Sequence, residues 1–542
     1  MKPRKFFKPL LIAAINAALL NVAHAGPADE SPSKWFSDGE QAVNAAMHLN
    51  ANKQQAKNII LFVADGMGIS TATAARILQG QLNGETGEEN QLSFEIMPYV
   101  ALSKTYNTNQ QTPDSAGTMT AMMTGVKSKA GVIAVNQNVL RADCASSKGN
   151  ELTTFLEQAE MAGLSTGVVT TARLTHATPA ATYAHVPERN WEDDHDLTQE
   201  AVDNECKDIA RQLIEFPYGD GIEVAMGGGR RNFWPRNLAD LEDEGKTGER
   251  DDQRNLTEEW VNNYNNSAFV WNKQQFDEID TESTDHLLAL FDRSHMEYDA
   301  DRTNDIAGEP SLTEMTRKAI DILQKNDKGY FLMVESGRVD HGHHAGNAYR
   351  ALTDAIEFSN AVKAAMEKTN ADETLIIVTA DHSHVFTIAG YPTRGNPILG
   401  KVLENDKSGE AKETVAVAND GMPYTTVGYA NGRGFDMLET GGDTRYKTPI
   451  NAGRVVDLTS FDTEDEGFHQ EALVGLKAET HSAEDVAIYA DGPGAYLMHG
   501  LQEQNYIYHV MNRASKMEKR IKGEGDGENS LLNWWNGINS EF

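Results

Sequence analysis

The chain of 542 residues has few basic side chains for its length. Lysine and arginine together number 48, against 81 aspartate and glutamate residues, so the formal net charge is −33. This imbalance argues against nucleic acid and anionic membranes as partners, because both are negatively charged. A solvated acidic surface explains the charge. The salt adaptation of an exported bacterial protein is an alternative, because salt screens self-repulsion.

Long hydrophobic runs are also missing. No stretch after residue 25 approaches the roughly 18 unbroken apolar residues that a membrane-spanning helix needs. The first 25 residues contain four basic side chains, an apolar run and a final Ala-His-Ala. This order is typical of a secretory signal peptide, with an N-terminal core helix as the alternative. We therefore expect cleavage after residue 25 and a soluble mature chain from about Gly26, either periplasmic or secreted.

Cysteine is scarce, since only Cys144 and Cys206 are present. An even count of cysteines in an exported chain favours a disulfide between them. Closing a loop of that length stabilises a fold by about 4 kcal/mol in the chain-entropy model. Two free buried thiols are the alternative.

Six segments share one plan, in which a short apolar run is followed by polar residues. They are 58–68, 165–180, 222–231, 329–341, 374–384 and 485–494. Helical patterns lie between them, at 71–80, 152–163, 312–326 and 347–369. Continuous apolar strands that alternate with helices predict an α/β fold with a central, mostly parallel sheet sandwiched by helices.

Two regions depart from this plan. Residues 236–285 are acidic and poor in strand signals, and residues 391–475 are rich in glycine, proline and threonine punctuation. We interpret 391–475 as an inserted crown, a lid or interface element between the last core strands. The main α/β domain then consists of 57–390 and 476–542.

The stretch between the predicted signal peptide and the first strand has a pattern of its own. Residues 33–49 show the apolar spacing of an amphipathic helix. We predict an N-terminal helical arm over 26–56. The arm packs either on a partner subunit or on the core of its own chain.

Acidic and histidine residues collect where the predicted strands end. They are Asp65, Glu335, Asp340, His341, His343, His344, Asp381, His382, His384 and, just before the last strand, His481. The carboxyl ends of parallel strands meet at one edge of a sheet, where such folds bind ligands. One aspartate at a strand end usually caps a turn, but clustered carboxylates repel each other unless cations are present. Mixed histidine and aspartate ligands suit zinc, whereas oxygen ligands suit magnesium.

Ser115 follows Pro113 and Asp114 at the predicted start of a helix. The amide groups and dipole of a helix N-terminus favour a nearby anion. A serine at this place is commonly only an N-cap. Beside a metal site it becomes a candidate nucleophile, because a metal stabilises the alkoxide and no histidine base is needed.

Six motifs, in this order, resemble those of the alkaline phosphatases. They are DGMG, PDSAGTMTAMMTG, THATPAATYAH, ESGRVDHGHH, TADHSH and ETHSAED, and the similarity runs from about residue 35 to 500. The motifs resemble the animal enzymes more than the common enteric bacterial form. The resemblance implies a homodimeric hydrolase that cleaves phosphate monoesters through a phosphoserine, with two zinc ions and one magnesium ion.

The resemblance also implies roles for individual residues. The ligands of the first zinc match Asp340, His344 and His481, and those of the second match Asp65, Asp381 and His382. The magnesium ligands match Asp65, Thr178 and Glu335. Ser115 matches the nucleophile, and Arg189 matches the arginine that grips the phosphate, since its fork can hold two oxygens. Arg173 is a rival arginine, for which a surface or fold-stabilising role is more suitable.

Two histidines differ from the enteric bacterial pattern, which has Asp at the position of His176 and Lys at that of His341. The animal enzymes have histidine at both. We expect them to hold water near the magnesium or the phosphate and not to bind metal directly. His343 has no assigned role, and we expect it to point elsewhere.

A further acidic set matches positions where animal homologues bind calcium. It contains Asp292 and Glu309. Surface carboxylates are the alternative, because a chain this acidic has many.

Sulfatases, phosphodiesterases and cofactor-independent phosphomutases of the same superfamily are alternative functions. Sulfatases need a C/S-x-P-x-R site, and no such site precedes a helix here. Phosphodiesterases of this fold generally use threonine and lack the magnesium site, so Thr178 and Glu335 favour a monoesterase. A metal-storing or structural exported protein is an alternative of another class, but it leaves Ser115 and Arg189 without a purpose.

Overall fold

The computed structural model describes residues 31–438 and 442–522, and the predicted signal peptide lies outside these residues. The strands in this part of the chain are β1 (Asn58–Ala64), β2 (Tyr99–Lys104), β3 (Ser165–Arg173), β4 (Val224–Gly228), β5 (Ser267–Val270), β6 (His286–Leu290), β7 (Tyr330–Ser336), β8 (Thr374–Thr379), β9 (Ser383–His384), β10 (Phe386–Ile388), β11 (Val427–Gly432), β12 (Asp436–Met437), β13 (Phe468–His469), β14 (Ala472–Gly475), β15 (His481–Ser482), β16 (Val486–Asp491) and β17 (Gly500–Glu503).

The α-helices range from one turn to six turns. They are α1 (Pro32–Met47), α2 (Ile69–Leu82), α3 (Ser115–Thr124), α4 (Cys144–Ser147), α5 (Phe155–Met161), α6 (Ala177–Ala180), α7 (Gln199–Asp203), α8 (Ile209–Ile214), α9 (Arg230–Phe233), α10 (Leu256–Asn263), α11 (Lys273–Glu278), α12 (Leu312–Leu323), α13 (Arg338–His344), α14 (Ala348–Lys368), α15 (Tyr506–Ser515) and α16 (Met517–Lys522). Every described helix is too short or too polar to cross a membrane.

Ten strands form the central sheet, in the order β17-β2-β16-β8-β1-β7-β3-β4-β6-β5. Strand β16 is antiparallel to both β2 and β8, and the other neighbouring pairs are parallel. The predicted α/β fold with a mostly parallel sheet is therefore confirmed. All six predicted segments contain a strand of this sheet, and the four predicted helices are present as α2, α5, α12 and α14.

Strand β1 shows why the sheet must be covered on both faces. Its sequence NIILFVA is apolar and buried almost throughout. Ile59, Leu61 and Val63 pack into the core on one face, whereas Ile60 and Phe62 pack into the core on the other. Successive side chains of a strand point to opposite faces, so an uninterrupted apolar run demands a helical layer on each side.

The inserted region lies apart from the central sheet. Strands β11, β12, β13 and β14 form small sheets of their own with β10 or with each other. Strands β8 and β16, which flank the region along the chain, pair directly in the large sheet. Its role as a lid or interface element, and the domain boundaries at 391 and 475, remain predictions.

The helix predicted at 33–49 is present as α1. The Ser31 side chain accepts a hydrogen bond from the Lys34 amide, and Pro32 occupies the first turn. Both are typical of a helix start. None of its residues is buried, and Trp35 and Phe36 are 57% and 70% exposed. The partner on which the arm packs remains a prediction.

Cys144 and Cys206 form a disulfide, as predicted, with an S–S distance of 2.05 Å. The two bonded cysteines are 62 positions apart in the sequence. Within the loop lie β3 and α5, so the crosslink restrains a segment that runs through the middle of the sheet.

Replacing both cysteines by alanine should destabilise the protein. The loop-closure entropy removed from the unfolded chain corresponds to about 4 kcal/mol. We expect the midpoint of urea unfolding of the double variant to fall. Reduction of the unaltered protein should lower the midpoint to a similar value, and equal midpoints for all three samples would contradict the prediction.

Candidate active site

The carboxyl ends of β1, β7 and β8 bring three acidic side chains together. Asp65 follows β1 directly, Glu335 lies near the end of β7, and Asp381 follows β8 by two residues. In the sheet register, Val63 of β1 stands between Glu335 and Thr379. All three carboxylates are fully buried.

His382 brings an imidazole to two of these carboxylates. Its Nε2 lies 3.3 Å from Asp65 Oδ1 and 3.3 Å from Asp381 Oδ2. The hydroxyl of Ser115 is 3.2 Å from the same nitrogen. Two carboxylate oxygens and one imidazole nitrogen are a donor set that suits zinc. The residues predicted for the second zinc therefore converge, with Ser115 beside them.

The residues predicted for the first zinc also meet. Asp340 and His344 lie one turn apart in α13, with Asp340 Oδ1 3.2 Å from His344 Nε2. His481 arrives from β15, which pairs with β9 so that His481 stands opposite His384. His481 Nε2 is 3.3 Å from Asp340 Oδ1 and 3.1 Å from His344 Nε2.

Backbone carbonyls fix the tautomers of these two histidines. His344 Nδ1 lies 2.7 Å from the Glu479 carbonyl oxygen, and His481 Nδ1 lies 2.8 Å from that of Pro113. A carbonyl oxygen only accepts, so each Nδ1 carries the hydrogen and each Nε2 presents a lone pair. Two lone pairs that face each other across 3.1 Å repel, and a shared cation removes the repulsion. This arrangement fits zinc.

Unpaired oxygens mark the predicted magnesium set. Asp65 Oδ1, Thr178 Oγ1 and Glu335 Oε1 are buried and have no hydrogen-bond partner in the described part of the chain. A ring nitrogen of His176 lies within 4.8 Å of one oxygen each from Asp65 and Glu335. Buried polar atoms rarely stay unpaired. Buried oxygens without hydrogen-bond partners, two of them on the neighbouring acids Asp65 and Glu335, fit a hard cation such as magnesium.

The ionisation of these acids reflects their crowding. Burial raises the pKa of Asp65 well above its ordinary value, and Asp381 and Asp340 raise it further. Burial and Asp381 raise the pKa of Glu335 to about 8, although its hydrogen bond from Thr170 works the other way. Asp340 differs. Burial opposes its ionised form, but the surrounding histidines lower its pKa well below the ordinary value.

Ser115 is the first residue of α3, and it does not cap the helix. The N-cap is Asp114, whose side chain accepts a hydrogen bond of 3.1 Å from the Gly117 amide. The alternative interpretation of Ser115 as an N-cap is therefore wrong. Its hydroxyl points to His382 and lies 3.5 Å from Asp65 Oδ2.

Arg189 contacts Asp114, the residue before the serine. It donates to Asp114 Oδ2 at 3.1 Å, and its other terminal nitrogen is 3.3 Å from His176 Nε2. A guanidinium only donates, so this histidine nitrogen accepts and its Nδ1 carries the hydrogen. Burial and Arg189 lower the pKa of His176 well below its ordinary value, which keeps the ring neutral.

Arg173, the rival arginine, is engaged elsewhere. Two of its nitrogens lie 2.7 and 2.6 Å from the carboxylate oxygens of Glu192. Both side chains are largely buried. Such a bidentate pair suits the fold-stabilising role that the sequence suggests.

His295, in the loop after β6, lies beside the site although no sequence motif indicates it. Its ring centroid is 4.2 Å from that of His341 and 5.4 Å from that of His176. The motifs predicted to carry the zinc and magnesium ligands do not include the stretch LFDRSHMEY, so they do not indicate His295. Burial and Arg338 lower the pKa of His341 to about 3.

His384 and Glu479 form a second pair to which the motifs assign no role. His384 Nε2 lies 2.8 Å from Asp340 Oδ1, and its Nδ1 contacts the Glu479 carboxylate. Burial works against a charged ring, but Glu479 and Asp340 raise the pKa of His384 to about 10. The signal in the sequence was the second histidine of ADHSH and the acid two residues before His481.

His343 points away from the cluster, as expected. It is fully buried, with Nε2 3.0 Å from the Thr71 hydroxyl and Nδ1 2.9 Å from the Tyr429 hydroxyl. Both ring nitrogens have hydroxyl partners, so the residue joins α13 to α2 and β11.

The acidic residues predicted to bind calcium belong to a larger group. One oxygen each from Glu242, Asp292 and Asp305 lie within 4.8 Å of one another. Glu309 is buried, with Oε1 accepting from the Glu297 amide at 2.9 Å and Oε2 unpartnered among the described residues. Burial, Asp305 and Asp292 raise its pKa well above the ordinary value.

Comparisons with known proteins agree with this geometry. The sequence profile of the family described as alkaline phosphatase matches residues 56–517. The tissue-nonspecific alkaline phosphatase of Homo sapiens is 42% identical over 514 residues, or 94% of this chain and 93% of its own. An alkaline phosphatase of Gadus morhua is 42% identical over 497 residues, or 90% and 98%. The predicted resemblance to animal enzymes is confirmed.

Solved bacterial structures share the fold. The alkaline phosphatase of Thermus thermophilus has a TM-score of 0.59 at 22% identity, covering 89% of this chain and 98% of its own. That of the Antarctic bacterium TAB5 has a TM-score of 0.56 at 21% identity, covering 86% and 99%.

Removing metal should make the stability of this protein depend on pH. Without cations, ionisation of Glu335 is disfavoured in the fold, so stability falls as pH rises from the ordinary pKa of a glutamate through about 8 and then levels off. Protonated His384 stabilises the fold at low pH, and this contribution is lost as pH rises towards about 10. We expect the melting temperature of chelator-treated protein to fall by roughly 5 °C more between pH 6 and pH 9 than that of metal-loaded protein.

The metal-loaded protein is the necessary reference. Glu160 and Glu223, whose pKa values are raised to about 10 and about 8 by burial, lie outside the site and affect both samples alike. An equal fall in melting temperature for the two samples between pH 6 and pH 9 would contradict the prediction.

Proposed function

This chain belongs to the alkaline phosphatase family and is a phosphomonoesterase, and from this we propose how its residues carry out the reaction. Ser115 attacks the phosphorus of a phosphate monoester, the alcohol leaves, and water then cleaves the phosphoserine to release inorganic phosphate. The observation that carries the proposal is the position of Ser115 Oγ, 3.2 Å from His382 Nε2 and beside Asp65.

Three cations complete the proposed site. Two zinc ions are held by Asp340, His344 and His481 and by Asp65, Asp381 and His382, and one magnesium ion is held by Asp65, Thr178 and Glu335. When bound, these ions stabilise the serine alkoxide, polarise the phosphoryl oxygens and supply an activated water. The lone pairs and orphaned oxygens of these residues support the assignment.

The protein's own groups hold the phosphate. Arg189 presents a guanidinium that Asp114 and His176 keep in place, so little conformational entropy is lost when two phosphate oxygens bind. The amide end of α3 adds a favourable dipole, because Ser115 is its first residue. His176 and His341 are neutral and add hydrogen-bond donors without adding charge.

Export and assembly are part of the proposal. A disulfide fits an oxidising compartment, which supports a signal peptide over 1–25 and a periplasmic or secreted enzyme. The exposed Trp35 and Phe36 of α1 support an arm that packs on a partner in a homodimer. The formal charge of −33 supports salt adaptation.

Replacing Ser115 by alanine should lower the hydrolysis of a chromogenic phosphate monoester by at least about 10³-fold, because the covalent step is lost. Radiolabelled phosphate should be trapped on the unaltered protein at low pH and not on the variant. Ser103→Ala is the matched control, since Ser103 is a fully buried serine whose hydroxyl has no partner in the described structure. Full activity of the Ser115→Ala protein would overturn the mechanism.

We also propose that Glu242, Asp292, Asp305 and Glu309 bind calcium. These four acids include one unpartnered buried oxygen, and among the described residues the ion pair found for them is that of Glu242 with Arg230, at 3.2 Å. Calcium prefers several carboxylate oxygens in a flexible arrangement.

Glu309→Gln should remove calcium from this site. We expect elemental analysis after exhaustive dialysis to find bound calcium in the unaltered protein and a loss of that calcium in the variant, with zinc unchanged. Glu413→Gln, at an exposed carboxylate, is the matched control. Equal calcium contents in all three proteins would exclude the site.

A further inference from the structure

Arg338 is a buried cation for which the proposed reaction has no use. It opens α13 and is only 3% exposed. Its guanidinium carbon lies 3.7 Å from the centroid of the Tyr298 ring. Burying a guanidinium is costly unless its donors find acceptors, so its contacts indicate what it does.

One of these contacts is His341, which lies one turn later in α13. An Arg338 terminal nitrogen is 3.1 Å from His341 Nδ1. Because a guanidinium has donors only, Nδ1 must accept, and the single hydrogen of the neutral imidazole is placed on Nε2. That nitrogen lies on the side of the metal-ligand cluster, 3.9 Å from Asp340 Oδ2.

The ring of His341 is also held from the side. His295 packs against it with ring centroids 4.2 Å apart. Arg173 in turn contacts both ring nitrogens of His295. With one edge fixed by Arg338 and one side covered by His295, the ring has little freedom to flip.

An acid from the inserted region keeps Arg338 in place. Asp443 lies in a 3₁₀ helix (Gly442–Lys447) between β12 and β13. Its Oδ2 accepts from Arg338 at 3.1 Å, and its Oδ1 accepts from the Tyr298 hydroxyl at 3.1 Å. The Asp443 side chain is 60% exposed, so it reaches the buried arginine from the surface.

We propose that Arg338 is a positioning residue for phosphate binding, which, held by Asp443 and Tyr298, fixes the ring and tautomer of His341 so that its Nε2–H faces the bound phosphate. The proposal rests on the proposed function, in which phosphate lies between Ser115 and Arg189. It makes the inserted region part of the catalytic machinery, through the chain Asp443, Arg338 and His341.

The direction in which one substitution changes the affinity for phosphate distinguishes this role from a general effect of charge. Asp443→Ala removes a negative charge, so a field effect alone should tighten the binding of inorganic phosphate. The positioning role predicts the opposite. Without Asp443 the guanidinium is no longer oriented, His341 loses its fixed tautomer, and phosphate should bind about tenfold more weakly, as expected for one lost hydrogen bond to a charged group.

The measurement is calorimetric titration of inorganic phosphate into zinc- and magnesium-loaded Ser115→Ala protein, where turnover plays no part. The Ser115→Ala protein is the parent. Asp443→Ala, Arg338→Met and His341→Ala are each added to it singly, and Asp443→Ala and Arg338→Met are each also combined with His341→Ala. We expect each single change to weaken binding, and neither Asp443→Ala nor Arg338→Met to weaken it further once His341 is alanine.

Tighter phosphate binding by the Asp443→Ala variant would overturn the proposal. So would an Arg338→Met change that lowers phosphate affinity by the same factor whether residue 341 is histidine or alanine. Asp443 is exposed, so we expect the Asp443→Ala variant to fold. It can therefore test the proposal even if the variant of the buried Arg338 does not fold. The outcome is independent of the proposed nucleophile. If Ser115→Ala retained activity, the mechanism would fall while the coupling between Asp443 and His341 could still be measured.

Discussion

The repulsion among carboxylates buried at the ends of β1, β7 and β8 is the constraint on which the rest of this structure depends. Asp65, Glu335 and Asp381 are fully buried, and the register of β1, β7 and β8 brings the ends of these three strands together. Proteins remove such repulsion by protonation or by cations. The neighbouring histidines favour cations. His344 and His481 direct their Nδ1 hydrogens to backbone carbonyls and their Nε2 atoms inward, an arrangement that suits a cation between them.

The fold supports this constraint by distributing the ligands over rigid elements. Three carboxylates come from strand ends, Asp340 and His344 from one face of α13, and His481 from a short strand pair. Ser115 begins a helix whose cap is a different residue, so its hydroxyl stays available for chemistry. A site held by a buried sheet is more precise than one held by loops. The inserted region contacts the site, because Asp443 accepts a hydrogen bond from Arg338, which lies beside His341.

Local patterns in the sequence predicted most of this arrangement, and contacts between distant segments account for the rest. Apolar runs such as NIILFVA specify buried strands, and the motifs place Asp65 and Asp381 just after strands and Ser115 at the start of a helix. The direction of β16 could not be predicted, because an apolar run reads the same in parallel and antiparallel pairing. His295 and the contact of Asp443 with Arg338, 105 residues apart, leave no trace in local sequence. The strand β5 also lies in the acidic region 236–285, where strand signals were poor.

Two arginines act in the same way on two histidines of the proposed phosphate site. Arg189 faces His176 and Arg338 faces His341, and in each pair a donor-only group makes one imidazole nitrogen an acceptor. Burial and these cations keep both rings neutral, with the pKa of His341 lowered to about 3 and that of His176 well below its ordinary value. Neither histidine therefore changes charge between neutral and alkaline pH. In the proposed site, Arg189 and the cations then set the charge that phosphate meets, and the histidines contribute direction through fixed N–H groups. A pocket built in this way keeps its polarity over the alkaline range, where a lysine near its ordinary pKa would titrate.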